Sequence, residues 1–457
     1  MLANQRDTIA AIATAPGRGG IGIVRLSGPD SRAIAERVCV RTLTPRTAHF
    51  QNFTDSDGNT VDQGIAIYFA GPHSFTGEDV VELQGHGGPV LLDALLANLL
   101  AMGARQARPG EFSERAFLND KLDLTQAEAI ADLIDAGSQA AARSALRSLQ
   151  GDFSRAVEKL IEQMIRLRVF VEAAIDFPEE EIDFLADSAL QSSIQTLVAG
   201  LQETLACARE GALLRDGIKV VLAGRPNAGK SSLLNQLAGR ETAIVTELAG
   251  TTRDLLREHL VLDGLPVEIV DTAGLRDSED LVEREGIKRA RAEIQAADLC
   301  LLMLDDAKYH KTAPAALQPL LVELLGDDRL AERTTVVLNK ADLYSAVVGR
   351  QSADYPLFSI SAATGAGVDD LITQIKSMAG FTGSDNGSFS ARRRHIDALE
   401  RAQRLVTEGY RQLQLTAAGE LLAEDLRQAQ HALSEITGQV TSDDLLGEIF
   451  SSFCIGK

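Results

Sequence analysis

Residues 224–232, Gly-Arg-Pro-Asn-Ala-Gly-Lys-Ser-Ser, hold the spacing that cradles a phosphate chain: glycine, four residues, glycine, lysine, serine. Each residue type has a task. Glycines let backbone N–H groups close round phosphate oxygens with no Cβ in the way. Asn227, Ala228, Gly229, Lys230, Ser231 and Ser232 would line that loop. Lys230 supplies a positive charge between the outer phosphates, and the Ser231 hydroxyl can ligate Mg²⁺. Downstream stands Asn-Lys-Ala-Asp, Asn339 to Asp342. The Asp342 carboxylate can accept from both the ring N–H and the amino group of guanine. Adenine presents an acceptor at the ring position, so a buried carboxylate there discriminates strongly. Asn339 and Lys340 would brace the base, and Ser361 and Ala362 fall in a loop whose backbone suits the base edge.

Two switch segments lie between these motifs. Thr246, Glu247, Leu248, Ala249, Gly250, Thr251 and Thr252 offer a threonine for Mg²⁺ and the γ-phosphate. In Asp271-Thr272-Ala273-Gly274 the carboxylate would hold Mg²⁺ through water. Together, in this order, the motifs predict a GTPase. A Ras-like enzyme next places a glutamine on the attacking water, and this chain has Leu275. An arginine finger supplies about 10³–10⁵ in rate, so comparable charge must come from elsewhere. Asn227, with carbonyls and hydroxyls of the first switch, could cage a monovalent cation; for Asn227 alone, hydrogen bonding within the loop is the plainer reading. Glu283 or Arg276 could reach the water, although composition alone makes their segment a solvated loop.

Such residues need a sheet to hold them. Ile-Lys-Val-Val-Leu-Ala-Gly before the phosphate loop reads as a short buried strand. The apolar runs at 299–306 and 334–340 read as parallel strands covered on both faces. Residues 255–271 read as a hairpin turning on Asp263-Gly264. This predicts a doubly wound, mostly parallel sheet over residues 217–378. Residues 1–118 carry short β-rich runs and glycine-rich turns, which predict a small α+β domain. Residues 119–216 and 379–457 have helical periodicity, so the α/β unit is expected to be inserted into one helical domain. Thr125 and Glu128 read as a capping box, and Gly85-His86-Gly87-Gly88 as a turn.

Composition narrows the class. Apolar residues make up 45% and charged residues 24% of 457, a globular profile. Four scattered cysteines show no CxxC pairing, which argues against structural zinc and fits a reducing cytoplasm. No run is apolar enough for a membrane span. The formal charge of −20 repels phosphate backbones over most of the surface. Arg392 to His395 is the best local basic candidate, though a solvated helix start is its plainer account. Cys454 sits four residues from the end. The terminal Lys457 fits no prenylation signal, so either a packed small residue or a thiol delivered to an active site remains.

These motifs, with Pro16-Gly-Arg-Gly-Gly-Ile-Gly-Ile-Val-Arg-Leu-Ser-Gly, residues 74–89 and 108–130, and the final Phe-Cys-Ile-Gly-Lys, resemble the MnmE (TrmE) family over essentially the whole chain. The resemblance implies an N-terminal domain similar to folate-binding aminomethyltransferases that forms a homodimer. It implies a helical domain carrying an inserted K⁺-activated GTPase. It implies tRNA as substrate and an MnmG-type partner that carries FAD and joins in a heterotetramer or larger complex. Such proteins install an aminomethyl or carboxymethylaminomethyl group on C5 of a wobble uridine, from a 5,10-methylene- or 5-formyl-tetrahydrofolate. By motif, Asn227, Thr246, Leu248 and Thr251 match K⁺ positions, and Ser231 and Thr252 match Mg²⁺ positions. Glu283 matches the residue that orients water. Arg25, Glu82, Lys121 and Lys457 match folate contacts, and Cys454 a functional thiol. The rival reading is a regulatory GTPase switch, for example in ribosome assembly, with no part in forming a bond on RNA.

Overall fold

Alternation of buried and exposed side chains along residues 60–69 and 80–87 marks strands with one covered face. The computed structural model describes residues 7–176, 188–239, 256–271, 292–305, 309, 333–344, 347–351, 355–383, 388–416, 418–440 and 443–456. They fall into two compact units. One comprises residues 1–131, 148–204 and 397–457, the other 132–147 and 205–396.

The first unit opens with β1 (Ile9–Ile12), β2 (Gly19–Ser27), α1 (Ser31–Cys39), β3 (Ala48–Thr54), β4 (Thr60–Phe69), β5 (Val80–Gly87), α2 (Pro89–Ala101), β6 (Arg105–Gln106) and α3 (Glu111–Leu118). Six strands form a sheet in the order β3-β4-β5-β2-β1-β6, parallel only between β1 and β6. Helices α1 and α2 cover one face, burying Ile34, Val38, Leu95 and Leu99 against Val24, Leu26, Val81 and Leu83. Gly85, His86 and Gly87 are thus the end of β5, not a turn: cross-strand pairing outweighs the local glycine signal. Arg115 is buried, and Asp7, Glu78 and Glu111 lie 2.7, 3.1 and 3.2 Å from it. A buried guanidinium is tolerated only with such partners, so the cluster ties α3 to the start of the chain.

Helices α4 (Leu124–Ile134), α5 (Gln139–Leu149), α6 (Asp152–Asp176) and α7 (Ser188–Asp216) follow. The expected cap at Thr125 is displaced by two residues. Asp123 Oδ1 accepts from the Gln126 N–H at 2.9 Å, and Gln126 Oε1 accepts from the Asp123 N–H at 3.0 Å. Thr125 instead lies inside the first turn, where its hydroxyl donates to Asp123. Asp123→Ala should therefore lower stability by about 1–2 kcal/mol, the usual worth of a lost N-cap; an unchanged melting temperature would return the cap to Thr125.

The second unit holds β7 (Ile218–Gly224), α8 (Lys230–Ala238), β8 (Leu256–Leu262), β9 (Leu265–Asp271), β10 (Leu299–Asp305), β11 (Thr334–Asn339), β12 (Gly349–Gln351), β13 (Leu357–Ile360) and α9 (Val368–Ala379). The order β12-β13-β11-β10-β7-β9-β8 is parallel except at its two edges. Strands β7 and β10 are apolar almost throughout, and β11 is buried along its whole length, because core clusters cover both faces. The β8–β9 hairpin turns on Asp263 and Gly264, both at positive φ, the conformation a two-residue turn of this hand requires. Its tip is anchored: Ser138 Oγ donates to the Gly264 carbonyl at 3.2 Å, and Lys376 Nζ to Asp263 at 2.9 Å.

The chain ends with α10 (Arg393–Thr416), α11 (Gly419–Thr437) and α12 (Asp443–Ser451). The basic run before α10 turns partly inward. Arg392 donates to Asp132 at 3.0 Å and His395 is buried, so it makes neither a free basic patch nor a wholly solvated helix start. In the first unit, α6 packs along α11, and Phe450 and Phe453 join Phe117 and Leu124 in one cluster. The tail after α12 is then pinned. Ile455 bridges Pro109, and the Gly110 N–H donates to the Cys454 carbonyl at 3.3 Å. A Cβ on Gly456 would lie 2.2 Å from the Ile12 carbonyl oxygen, so only glycine fits there.

Candidate nucleotide-binding site

The phosphate loop leaves β7 at Gly224, whose added Cβ would lie 2.4 Å from the Met303 carbonyl oxygen on the neighbouring strand. Asn227 and Gly229 both have positive φ, and Gly229 turns the chain into α8. This directs the amino end of α8, with its positive dipole, at the loop. Ser231 and Ser232 lie exposed in its first turn. Lys230 is buried, and its Nζ donates to the Gly224 and Arg225 carbonyls at 3.1 and 3.4 Å. Burial lowers its pKa, opposed by the nearby carboxylate of Asp271.

Asp271 ends β9 with 3% exposure. Burial raises its pKa against the pull of Lys230, and Oδ1 has no hydrogen-bond partner among the described residues. A buried oxygen of this kind is costly unless a cation or water satisfies it, so the residue fits the Mg²⁺ role that the motif gives it.

Asn339 braces the site rather than the base alone. It is 2% exposed; its Nδ2 donates to the Ala228 carbonyl at 2.9 Å, and its Oδ1 accepts from the Ala362 N–H at 2.9 Å. One side chain thereby joins the phosphate loop to the 361–366 loop. A Cβ on Gly229 would lie 2.1 Å from that Nδ2, which explains the glycine. The Ser361 hydroxyl donates to Asp342 Oδ1 at 2.5 Å and so orients the carboxylate. Lys340 stands at positive φ with its Nζ 2.8 Å from Asp305. The sequence reading missed Asp305. Its signal was an acid closing an apolar strand, in register with Asn339 across β10–β11. Thr246 to Thr252, Thr272 to Gly274, Arg276 and Glu283 lie outside the described residues, as does Lys457.

In the other unit, Arg25 and Glu82 face each other across β2–β5, and Arg25 Nη2 and Nε donate to Glu82 Oε1 at 2.9 and 3.1 Å. The Arg25 guanidinium also lies 5.6 and 5.7 Å from the Phe75 and Phe112 ring centres. Lys121 is not in that cluster. Its methylenes pack by Gly77, in the same loop as Phe75, and it also lines a cavity with Phe117, Gln126, Glu158 and Gln439. Cys454 is exposed between the buried Phe453 and Gly456. Among the described residues no His, Cys, Asp and Glu side chains group as a metal cage, and no helix is long and apolar enough to cross a membrane.

Two family models match the chain: "MnmE helical domain" over residues 124–454 and "GTP-binding protein TrmE N-terminus" over residues 8–121. Among curated proteins, the chain is 59% identical to the tRNA modification GTPase MnmE of Chromohalobacter salexigens, over 99% of this chain and 98% of the relative. It is 58% identical to that of Marinomonas sp., over 100% of this chain and 99% of the relative. It is also 58% identical to that of Vibrio cholerae, over 99% of both chains.

Proposed function

The chain belongs to the MnmE family of tRNA modification GTPases, and on that premise we propose that it is a K⁺-activated GTPase that works with an MnmG-type flavoprotein on the wobble uridine. The reaction adds an aminomethyl or carboxymethylaminomethyl group at C5, drawing on a tetrahydrofolate one-carbon unit. The observation that carries this reading is the C-terminal strap: Phe453 and Gly456 are buried on the N-terminal domain while the thiol between them stays exposed. A GTPase serving only as a switch has no use for a thiol presented in this way.

Each bound group has residues to hold it. For Mg²⁺ these are Ser231 and Thr252, with Asp271 through water; the buried Asp271 oxygen, unpartnered among the described residues, supports that set. For K⁺ they are Asn227, Thr246, Leu248 and Thr251. Asn227 suits the role, being exposed with its backbone in the left-handed region. Arg25, Glu82, Lys121 and Lys457 are assigned to the folate. The first two form a polar pair against phenyl rings, a setting that matches a flat heterocycle with donors and acceptors on its edge. When bound, the folate supplies the carbon; the chain's own residues orient it and exclude water. FAD belongs to the partner.

A homodimer fits the exposure of Ile21, Phe50, Ile65 and Val90, all in the N-terminal domain. In the cycle we favour, GTP brings the nucleotide units of the two copies together, and hydrolysis lets them part.

Cys454→Ser is expected to abolish wobble modification, read by mass spectrometry of nucleosides from cells carrying only the variant. GTP hydrolysis by the purified variant should stay at the wild-type rate. Normal modification in that strain would leave Cys454 with no part in the reaction. Normal wobble nucleosides in cells lacking the gene altogether would defeat the whole reading.

A further inference from the structure

Gly85-His86-Gly87 closes β5, and the functional site described above makes no use of it. The imidazole is held from one side. Asp62, on the adjacent strand β4, accepts the His86 backbone N–H through Oδ2 at 2.8 Å and meets ring Nδ1 through Oδ1 at 2.7 Å. The Asp62 side chain is 8% exposed and that of His86 68%. An ionised carboxylate only accepts, so Nδ1 carries its hydrogen and Nε2 faces solvent with its lone pair or a second proton.

Glycines make room for this pair. A Cβ on Gly85 would lie 2.3 Å from Asp62 Oδ2, where the carboxylate passes beneath the strand. A Cβ on Gly87 would lie 2.6 and 2.7 Å from the Ile21 and Gly19 carbonyl oxygens. On the other flank, Gly22 pairs with Gly85 and Gly19 with Gly87. Gly20 and Ile21 therefore both stand opposite His86, as a β-bulge, a feature that commonly re-aims side chains beside active sites. Glu82, Gln84 and His86 alternate onto one face of β5, and Gln84 Nε2 donates to Glu82 Oε2 at 3.3 Å. At ~3.3 Å per residue, His86 is about 13 Å along the strand from the Arg25–Glu82 pair.

We propose that His86, fixed by Asp62, is an acid–base group of the modification reaction, which rests on the reading that the N-terminal domain carries a one-carbon unit to uridine C5. Substitution there has to shed a hydrogen. Once C5 has bonded to the incoming carbon, with a C–N bonding pair left on the nitrogen that carried it, the C5–H electron pair restores the C5–C6 double bond and the proton passes to Nε2. The exposed ring then returns that proton to solvent.

The test compares two variants in single-turnover modification of tRNA by the full chain with its flavoprotein partner, methylene-tetrahydrofolate, GTP and an amine donor (ammonium or glycine). His86→Asn keeps an N–H for Asp62 but places nothing at Nε2. His86→Gln reaches the Nε2 position but cannot take up a proton. Both should slow modification at least about 100-fold, the lower range for a lost acid–base group. GTP hydrolysis should stay at the wild-type rate in both, and the melting temperature at the wild-type value in His86→Asn, which keeps the bond to Asp62. If His86→Asn modifies tRNA at the wild-type rate, His86 only braces Asp62 and the proposal is overturned. If the wild-type protein itself leaves tRNA unmodified, the underlying reading fails instead.

Discussion

Asp342→Asn should lose affinity for guanine nucleotides by roughly 10²–10⁴-fold and gain affinity for xanthine nucleotides. A carboxylate accepts from two guanine donors. Hydrogen bonds to a charged group are each worth about 1.5–3 kcal/mol, and ~1.4 kcal/mol is a factor of ten. Asparagine offers one acceptor and one donor. Its donor would face the guanine amino group, and the bond becomes a clash of hydrogens. Xanthine has a carbonyl at that position, so the same amide then makes both bonds. The effect should be clean because Ser361 fixes the side chain at 2.5 Å and Asn339, not Asp342, holds the two loops together. Calorimetry with guanosine and xanthosine diphosphates in Mg²⁺ reads both halves. Unchanged preference for guanine would move base recognition away from Asp342.

Exchange of K⁺ for Na⁺ should slow GTP hydrolysis by about 10³-fold, the lower range for removal of an arginine finger. The chain has Leu275 where Ras-like enzymes have a water-orienting glutamine, and on the proposed reading caged K⁺ supplies the charge that an arginine finger gives elsewhere. Asn227 stands at positive φ on the exposed rim of the phosphate loop. Asn227→Ala should show the same low rate in both salts, because the variant can no longer cage the ion. Steady-state hydrolysis at fixed ionic strength distinguishes this from general salt effects. Equal rates for the wild-type protein in K⁺ and Na⁺ would remove the cation cage.

The nucleotide site was legible because its chemistry is local. The phosphate loop needs glycines at fixed spacing, and the strands beside it are apolar on both faces, so motif and pattern agree. The hairpin on Asp263-Gly264 was legible for the same reason, its turn type being set by two adjacent residues. What escaped depends on partners far off in the chain. Asn339 reads as a base contact until Ala228 and Ala362 are seen on either side of it. Gly85 to Gly87 read as a turn because glycine breaks strands locally, yet pairing with β2 and the path of Asp62 require glycine inside one. The cap shifted from Thr125 to Asp123 because two good acceptors stood two residues apart, and Ser154, from α6, also donates to Asp123. The run at 392–395 looked solvated because Asp132, more than half the chain earlier, gives no local sign that it receives Arg392.

The burial of Phe450, Phe453 and Gly456 against residues from the first third of the chain has a consequence for synthesis. Roughly three hundred residues separate the two surfaces, and a ribosome adds about 5–20 per second. Phe117 and Leu124 must therefore wait, uncovered, tens of seconds for residues 446–453 that seal them. A prematurely terminated chain would keep its nucleotide core but display that apolar seam, marking itself for chaperones and proteases.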